Sequence, residues 1–178
     1  MLKEALCRHL HVFTGAVFRG HDPRWSYSPE SGEGAKRNGG RFNPVGIPAL
    51  YTSMTQAGAW VEAQQSFRHK AQPLTICQYD VNCEKVLDLT DEDVLLACGI
   101  KPSQLGGEWI QPSKAGFIPK SWQLSNELRR YGVAAIIVPS YTNEASADMR
   151  NIVFFDWSNV PPKKVTVIDD ESRLPKRS

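Results

Sequence analysis

Several familiar features are missing from this sequence, and each absence excludes something. No apolar run approaches the roughly 20 residues of a membrane span, and no signal-peptide pattern stands at the beginning. The expectation is therefore a cytoplasmic protein in a reducing setting, with no membrane partner. The four cysteines, Cys7, Cys77, Cys83 and Cys98, show no C-x-x-C spacing, which removes a zinc ribbon and a dithiol redox pair. Cys7, His9 and His11 alternate near the beginning, but a structural zinc site needs four ligands and no second pair follows, so no metal is expected. An excess of charge of one sign is also lacking. Twenty-one Lys and Arg against 19 Asp and Glu leave a net charge of +2, a weak electrostatic basis for nucleic-acid binding. There is no G-x-x-x-x-G-K-[ST] phosphate loop, no G-x-S-x-G nucleophile elbow and no H-E-x-x-H.

What is present is a length of 178 residues, enough for one domain with a real core and too short for two full ones. Hydrophobic content of 41% and charged content of 22% are ordinary for a globular protein, while 12 prolines and 13 glycines point to many loops rather than a helical bundle. Strand patterns fall at 12–19, 49–53, 73–81, 85–89, 133–140, 151–157 and 163–169. The run 133–140 is nearly continuously apolar, as in a strand buried on both faces. Ser53 and Gln56 have capping-box spacing and predict a helix to about His69, with Ala57, Val61, Gln64 and Phe67 on its apolar stripe and Glu62 at the edge of that stripe. Thr90 and Asp93 predict a second, short helix ending at Gly99. A third runs from about Ser121 to Tyr131, with Leu124, Leu128 and Tyr131 on one face. Residues 20–38 read as a long ordered loop and 103–118 yield no element. Without regular βαβ alternation the class is α+β, a single domain over 11–169 followed by a loose tail at 170–178.

The chemistry-bearing residues stand at the edges of these elements. Arg19 ends the first strand. Arg41 lies within "NGGRFNPVGIPALYTS" (38–53), where backbone N–H groups can gather round an anion and a guanidinium can grip phosphate bidentately. Tyr51 closes the short strand after that loop, Glu62 rides the first helix, and Ser140 follows Pro139 at a strand exit. Each has an ordinary alternative: a solvated arginine or glutamate, an arginine stem packed over Phe42, a core tyrosine, a serine in a turn.

Taken in order, "FRG", "GGRFNPVGIPALYTS", "AWVEA", "IIVPS" and "NIVFFD" resemble the RES-domain family, named for an arginine, a glutamate and a serine. The likeness spans roughly residues 11 to 157. Its most specific piece is the glycine-rich loop, although the usual family form has tryptophan where Phe42 stands. The resemblance implies an ADP-ribosyltransferase-like fold, a split β-sheet core with a few flanking helices. It also implies a bacterial toxin that binds NAD as substrate and breaks its nicotinamide–ribose bond, depleting cellular NAD. Arg19, Glu62 and Ser140 match the three catalytic family residues. Arg19, Arg41, Tyr51 and Ser140 match the NAD-binding positions. The resemblance further implies an Xre-like helix-turn-helix antitoxin as partner, and leaves a homodimer open.

The chemistry of these residue types is compatible. Loss of nicotinamide leaves an oxocarbenium-like ribose, which a carboxylate stabilises. Arginines complement pyrophosphate, and an aromatic ring can stack on nicotinamide. The acceptor is water, phosphate or a protein side chain. NAD glycohydrolase or phosphorylase activity is thus the first reading, and mono-ADP-ribosylation of a protein target the second. A non-catalytic nucleic-acid-binding module using Arg19, Lys36, Arg37 and Arg41 is the third.

Overall fold

The computed structural model of the chain describes residues 2–65 and 72–176. Its elements in order are α1 (Leu2–His9), β1 (His11–His21), a 3₁₀ turn (Pro23–Trp25), α2 (Glu33–Asn38), β2 (Leu50–Ser53), α3 (Gln56–Gln64), β3 (Thr75–Asp88), α4 (Glu92–Cys98), α5 (Pro102–Gly106), α6 (Ile110–Lys114), α7 (Lys120–Arg130), β4 (Ala135–Pro139), β5 (Arg150–Phe154) and β6 (Lys163–Val167). The expected α+β class is what the chain adopts. The two strands expected at 73–81 and 85–89 are one strand, β3. It turns at Lys85, which takes the left-handed conformation (φ 59°). Before the turn β3 pairs with β1 and β6; after it, Val86 still meets His11 of β1, and Val86–Asp88 runs parallel to Ala135–Ile137 of β4. Residues 20–38 are not all loop, since α2 forms there, and 103–118 holds α5 and α6.

The sheet is split in two. One half is β6, β3 and β1; the other is β4, β5 and β2, all antiparallel within each half. On one side β3 and β4 join the halves. On the other side β1 and β2 touch at a single pair, Phe18↔Ser53. Beyond it Arg19 stays with β3, opposite Cys77, while β2 diverges. Val17, Tyr79, Val81, Leu50, Ile137, Ile152 and Phe154 pack between the halves. The outer face of β4 and β5, with Ile136, Val138 and Val153, is covered by Leu124 and Leu128 of α7, Leu105 of α5 and Val94 of α4. Leu6 of α1, 1% exposed, joins this cluster, so α1 belongs to the same packed body. Both faces of β4 are therefore buried, as its apolar run implies. Tyr131, expected on the apolar face of α7, is 42% exposed. It stands past the last helical turn, where Gly132 (φ 79°) ends the helix. Along the tail, Leu174 packs against the inter-sheet cluster and its amide bonds Asp169.

α3 covers the gap where β1 and β2 part. Its cap is Thr55, whose hydroxyl accepts from the Gly58 amide at 3.0 Å, and not Ser53. Similarly α4 is capped by Asp91, while Thr90 donates to Asp88. The buried face of α3 is Gly58 and Ala59, not the expected stripe, for Ala57 is exposed and Val61 and Gln64 are only half-buried. A Cβ at Gly20 of β1 would lie 2.8 Å from the Ala63 Cβ and 3.2 Å from the Ala59 carbonyl oxygen. The helix meets the strand at backbone distance, which only small residues permit. Phe67 and the expected end of this helix at His69 fall outside the described residues.

Candidate active site

Glu62 sits on the inward side of α3 and is half-buried at the gap. Its Oε1 accepts two hydrogen bonds, one from the Ser140 hydroxyl at 2.6 Å and one from the Asn151 side-chain amide at 2.5 Å. Oε2 accepts none from a described residue. Ser140 lies just beyond β4, held by its own amide on the Met149 carbonyl at 3.0 Å, with the Thr142 hydroxyl 3.3 Å from its oxygen. Asn151 is on β5 between Ser53 of β2 and Val138 of β4, and its Oδ1 accepts from the Ser53 hydroxyl at 2.7 Å. Ser140 and Glu62 are thus brought together from positions 78 residues apart. Local sequence pattern does not mark Asn151, and it marks Ser53 only as a helix cap. The signal for both lies in strand register: residues opposite one another on neighbouring strands face the same way.

Two clefts flank the carboxylate. One, of about 230 Å³, lies in the split and is lined by Arg19, Gly20, Ser53, Ala59, Glu62 and Asn151. The other, of about 200 Å³, is walled by Arg41, Phe42, Trp109, Val138 and Tyr141. Tyr51, Glu62 and Asn151 border both, so a ligand longer than either can pass Glu62 from one to the other.

The two arginines are held without a carboxylate. Arg19 donates through Nη1 to the Pro29 carbonyl at 2.9 Å and the Ser31 carbonyl at 3.2 Å, which ties down the 22–32 segment. Arg41 donates to the Gly107 carbonyl at 2.8 Å, and its guanidinium lies 4.5 Å from the centre of the Tyr141 ring. Burial lowers the basicity of Arg41 from the ordinary arginine value. The same burial pushes the Tyr141 phenol up to about 12, so it stays protonated under the cation. Neither guanidinium makes an ion pair with a described carboxylate, which leaves positive charge available on both sides of Glu62.

The glycine-rich loop is built around Asn43 and Tyr51. The Asn43 side chain is fully buried and its amide donates to the carbonyls of Ala35 (2.9 Å), Ile47 (2.8 Å) and Pro44 (3.2 Å). Its oxygen accepts the Tyr51 hydroxyl at 2.7 Å, and that hydroxyl in turn accepts the Phe42 amide at 2.9 Å. Burial raises the Tyr51 phenol well above its ordinary range. The hydroxyl is therefore committed to the loop, while the residue borders both clefts. A Cβ on Gly40 would lie 2.5 Å from the Tyr51 hydroxyl oxygen, so glycine is required there. From α7, Ser121 donates to the Arg41 carbonyl (2.5 Å) and the Trp122 indole to the Gly40 carbonyl (2.7 Å). The loop is a rigid mount that aims Arg41.

Lys36 and Arg37 do not add to a basic surface with Arg19 and Arg41. Both pair with Glu33 on α2, at 3.3 and 3.9 Å. Among the described residues no three His, Cys, Asp or Glu side chains gather as a metal site requires, and no helix is long and apolar enough to cross a membrane.

A split antiparallel sheet carrying one carboxylate in the gap, with an arginine on either side that bonds backbone carbonyls and no described carboxylate, defines an α+β protein with a charged, two-cleft site. The chain belongs to the RES domain family, whose profile matches residues 16–176. Among solved structures it is similar to a chain of the Mycobacterium tuberculosis MbcT–MbcA toxin–antitoxin complex, with a TM-score of 0.66 and 18% identity over 94% of this chain and 89% of that one. No curated protein sequence matches the chain.

Proposed function

We propose that this protein is a toxin that cleaves the nicotinamide–ribose bond of NAD. The observation that carries the reading is the Glu62 carboxylate, held through one oxygen by Ser140 and Asn151 at the junction of two clefts that each bear an arginine without an ion pair among the described residues. An elongated ligand with a central pyrophosphate and two planar ends matches that layout in charge and shape. When the bond from ribose C1′ to the nicotinamide nitrogen breaks, its electron pair leaves with nicotinamide and cancels the ring's positive charge. C1′ becomes cationic, and the free oxygen of Glu62 stabilises it. An acceptor oxygen then bonds to C1′ and releases its proton. Arg19 and Arg41 hold the phosphates, and Ser140, which lines neither cleft, acts by fixing the carboxylate. No metal enters this scheme.

The family membership and the solved complex support a toxin held by a partner protein. A small helix-turn-helix antitoxin whose polar or anionic segment enters the clefts and occupies the arginines is the form we propose. The test is incubation of purified protein with NAD and identification of the products by mass. Nicotinamide with ADP-ribose identifies hydrolysis, and nicotinamide with ADP-ribose phosphate identifies phosphorolysis. Release of nicotinamide only with an added protein acceptor identifies ADP-ribosyl transfer. Glu62→Gln keeps size and both neighbours while removing the charge, and we expect NAD consumption to fall at least about 100-fold. Unaltered consumption by Glu62→Gln, or none by the wild type, would remove the reading.

A further inference from the structure

We propose that Asn151, locked by Ser53, is the positioning residue for Glu62, selecting which carboxylate oxygen is bound and which is left for a ligand. The argument begins with donor and acceptor inventory. An ionised carboxylate only accepts hydrogen bonds, so the Asn151 group 2.5 Å from Glu62 Oε1 is its NH₂. The amide oxygen then faces Ser53, and at 2.7 Å the Ser53 hydroxyl must be the donor. The chain of bonds therefore has one direction: Ser53 O–H to Asn151, and Asn151 N–H to Glu62. Without the Ser53 hydroxyl, the amide could turn its oxygen toward the carboxylate, placing two acceptors face to face.

The backbone makes this arrangement rigid. Asn151 lies in β5 with a paired strand on each side, opposite Ser53 in β2 and opposite Val138 in β4. Ser53 is 2% exposed, at the end of β2 where β1 is met. Ser140 approaches the same Oε1 from beyond the end of β4. Both donors thus converge on one oxygen, and both ride on the half-sheet opposite Arg19. Oε2 is left as the oxygen that a substrate cation can use. This assignment rests on the NAD-cleaving reading for its catalytic meaning, but the positioning itself is a property of the free protein.

The test has one arm that needs no activity. In a ¹⁵N-labelled sample, the Asn151 side-chain amide should show one proton well downfield and protected from exchange. That signature should be lost in Glu62→Ala and broadened or shifted in Ser53→Ala. An Asn151 amide that exchanges freely in the wild type, or is indifferent to both substitutions, overturns the proposal whatever the protein does to NAD. The second arm is kinetic. Asn151→Leu should lower kcat for NAD between about tenfold and 100-fold with KM changed by less than about threefold, and Ser53→Ala should lower it about tenfold. Asn151→Asp places a second carboxylate against Glu62, so one proton is shared and the acidic limb of its rate profile moves to higher pH. Should Asn151→Leu fail to fold, the nearly isosteric Asn151→Asp and Ser53→Ala carry the same comparison. Wild-type turnover with unchanged kcat and pH profile in these folded variants overturns the proposal. A wild type inert toward NAD defeats the functional reading instead, and the amide spectrum still decides the positioning.

Discussion

At the scale of single residues, the site divides into groups that can do chemistry and groups consumed in holding the others. Tyr51 belongs to the second kind. Its hydroxyl both donates to Asn43 and accepts from the Phe42 amide, so Tyr51→Phe leaves two buried polar partners unmet. We expect a loss of about 1–3 kcal/mol in stability, read by chemical denaturation. KM for NAD should rise less than it does for Arg41→Lys, which keeps the charge but loses the planar fork. His21 is a second residue with a measurable consequence. It is 8% exposed, and burial, reinforced by the positive charge of Arg19, lowers its pKa from 6.5 to about 4. Its ring reaches the Ser26 hydroxyl at 3.3 Å, and that hydroxyl is 2.9 Å from Thr75. Below pH 6.5 the unfolded chain takes up a proton that the folded one refuses until about pH 4. Stability is therefore intact above pH 6.5 and falls as the pH drops through this window. Unfolding midpoints of wild type and His21→Gln between pH 7 and 4 check it, and the variant should lose most of that slope.

At the scale of elements, the decisive contact is α3 against β1. Gly20 and Ala63 meet at backbone distance, and this closeness brings Glu62 over the gap beside Arg19. Gly20→Val would drive a branched side chain into Ala63 and the Ala59 carbonyl, so the helix must lift. We expect a destabilisation of about 1–3 kcal/mol together with a rate loss larger than stability explains, since a carboxylate displaced by an ångström no longer meets its donors. Denaturation and NAD consumption measured on the same sample distinguish the two effects. This contact also explains why the sequence pattern misjudged the face of α3. Amphipathic periodicity detects large apolar side chains, and here the buried stripe is Gly58 and Ala59, with Ala63 one turn on.

At the scale of the whole molecule, both clefts are open to solvent, and their arginines make no ion pair with a described carboxylate. Under the proposed NAD-cleaving reading, the protein must be silenced in the cell that makes it. Induction of the free protein in bacteria should lower cellular NAD and arrest growth, and co-expression of its partner should restore both while leaving the domain folded. Constant NAD in normally growing cells that contain the soluble protein would count against the toxin reading. A partner that occupies the arginines as proposed, rather than distorting Glu62, should also slow NAD consumption in the purified system by raising the apparent KM.

Some of this was legible along the chain because its causes are local. Alternation and β-branched runs marked the strands, a continuous apolar stretch marked β4 as buried on both faces, and the glycine-rich loop with Arg19, Glu62 and Ser140 marked the family. The caps were misplaced by one or two residues, since Ser53 and Thr55, or Thr90 and Asp91, offer the same side-chain chemistry within the same turn. Other features depended on which strands became neighbours. Asn151 meets Ser53 only because β5 inserts between β2 and β4, and Ser140 meets Glu62 only because α3 rests on the seam where the half-sheets part. Likewise, Arg41 finds Gly107 and Tyr141 across 66 and 100 residues. Residue type and spacing act within a few turns of chain, whereas these contacts arise from strand order and from one helix–strand approach close enough to require glycine.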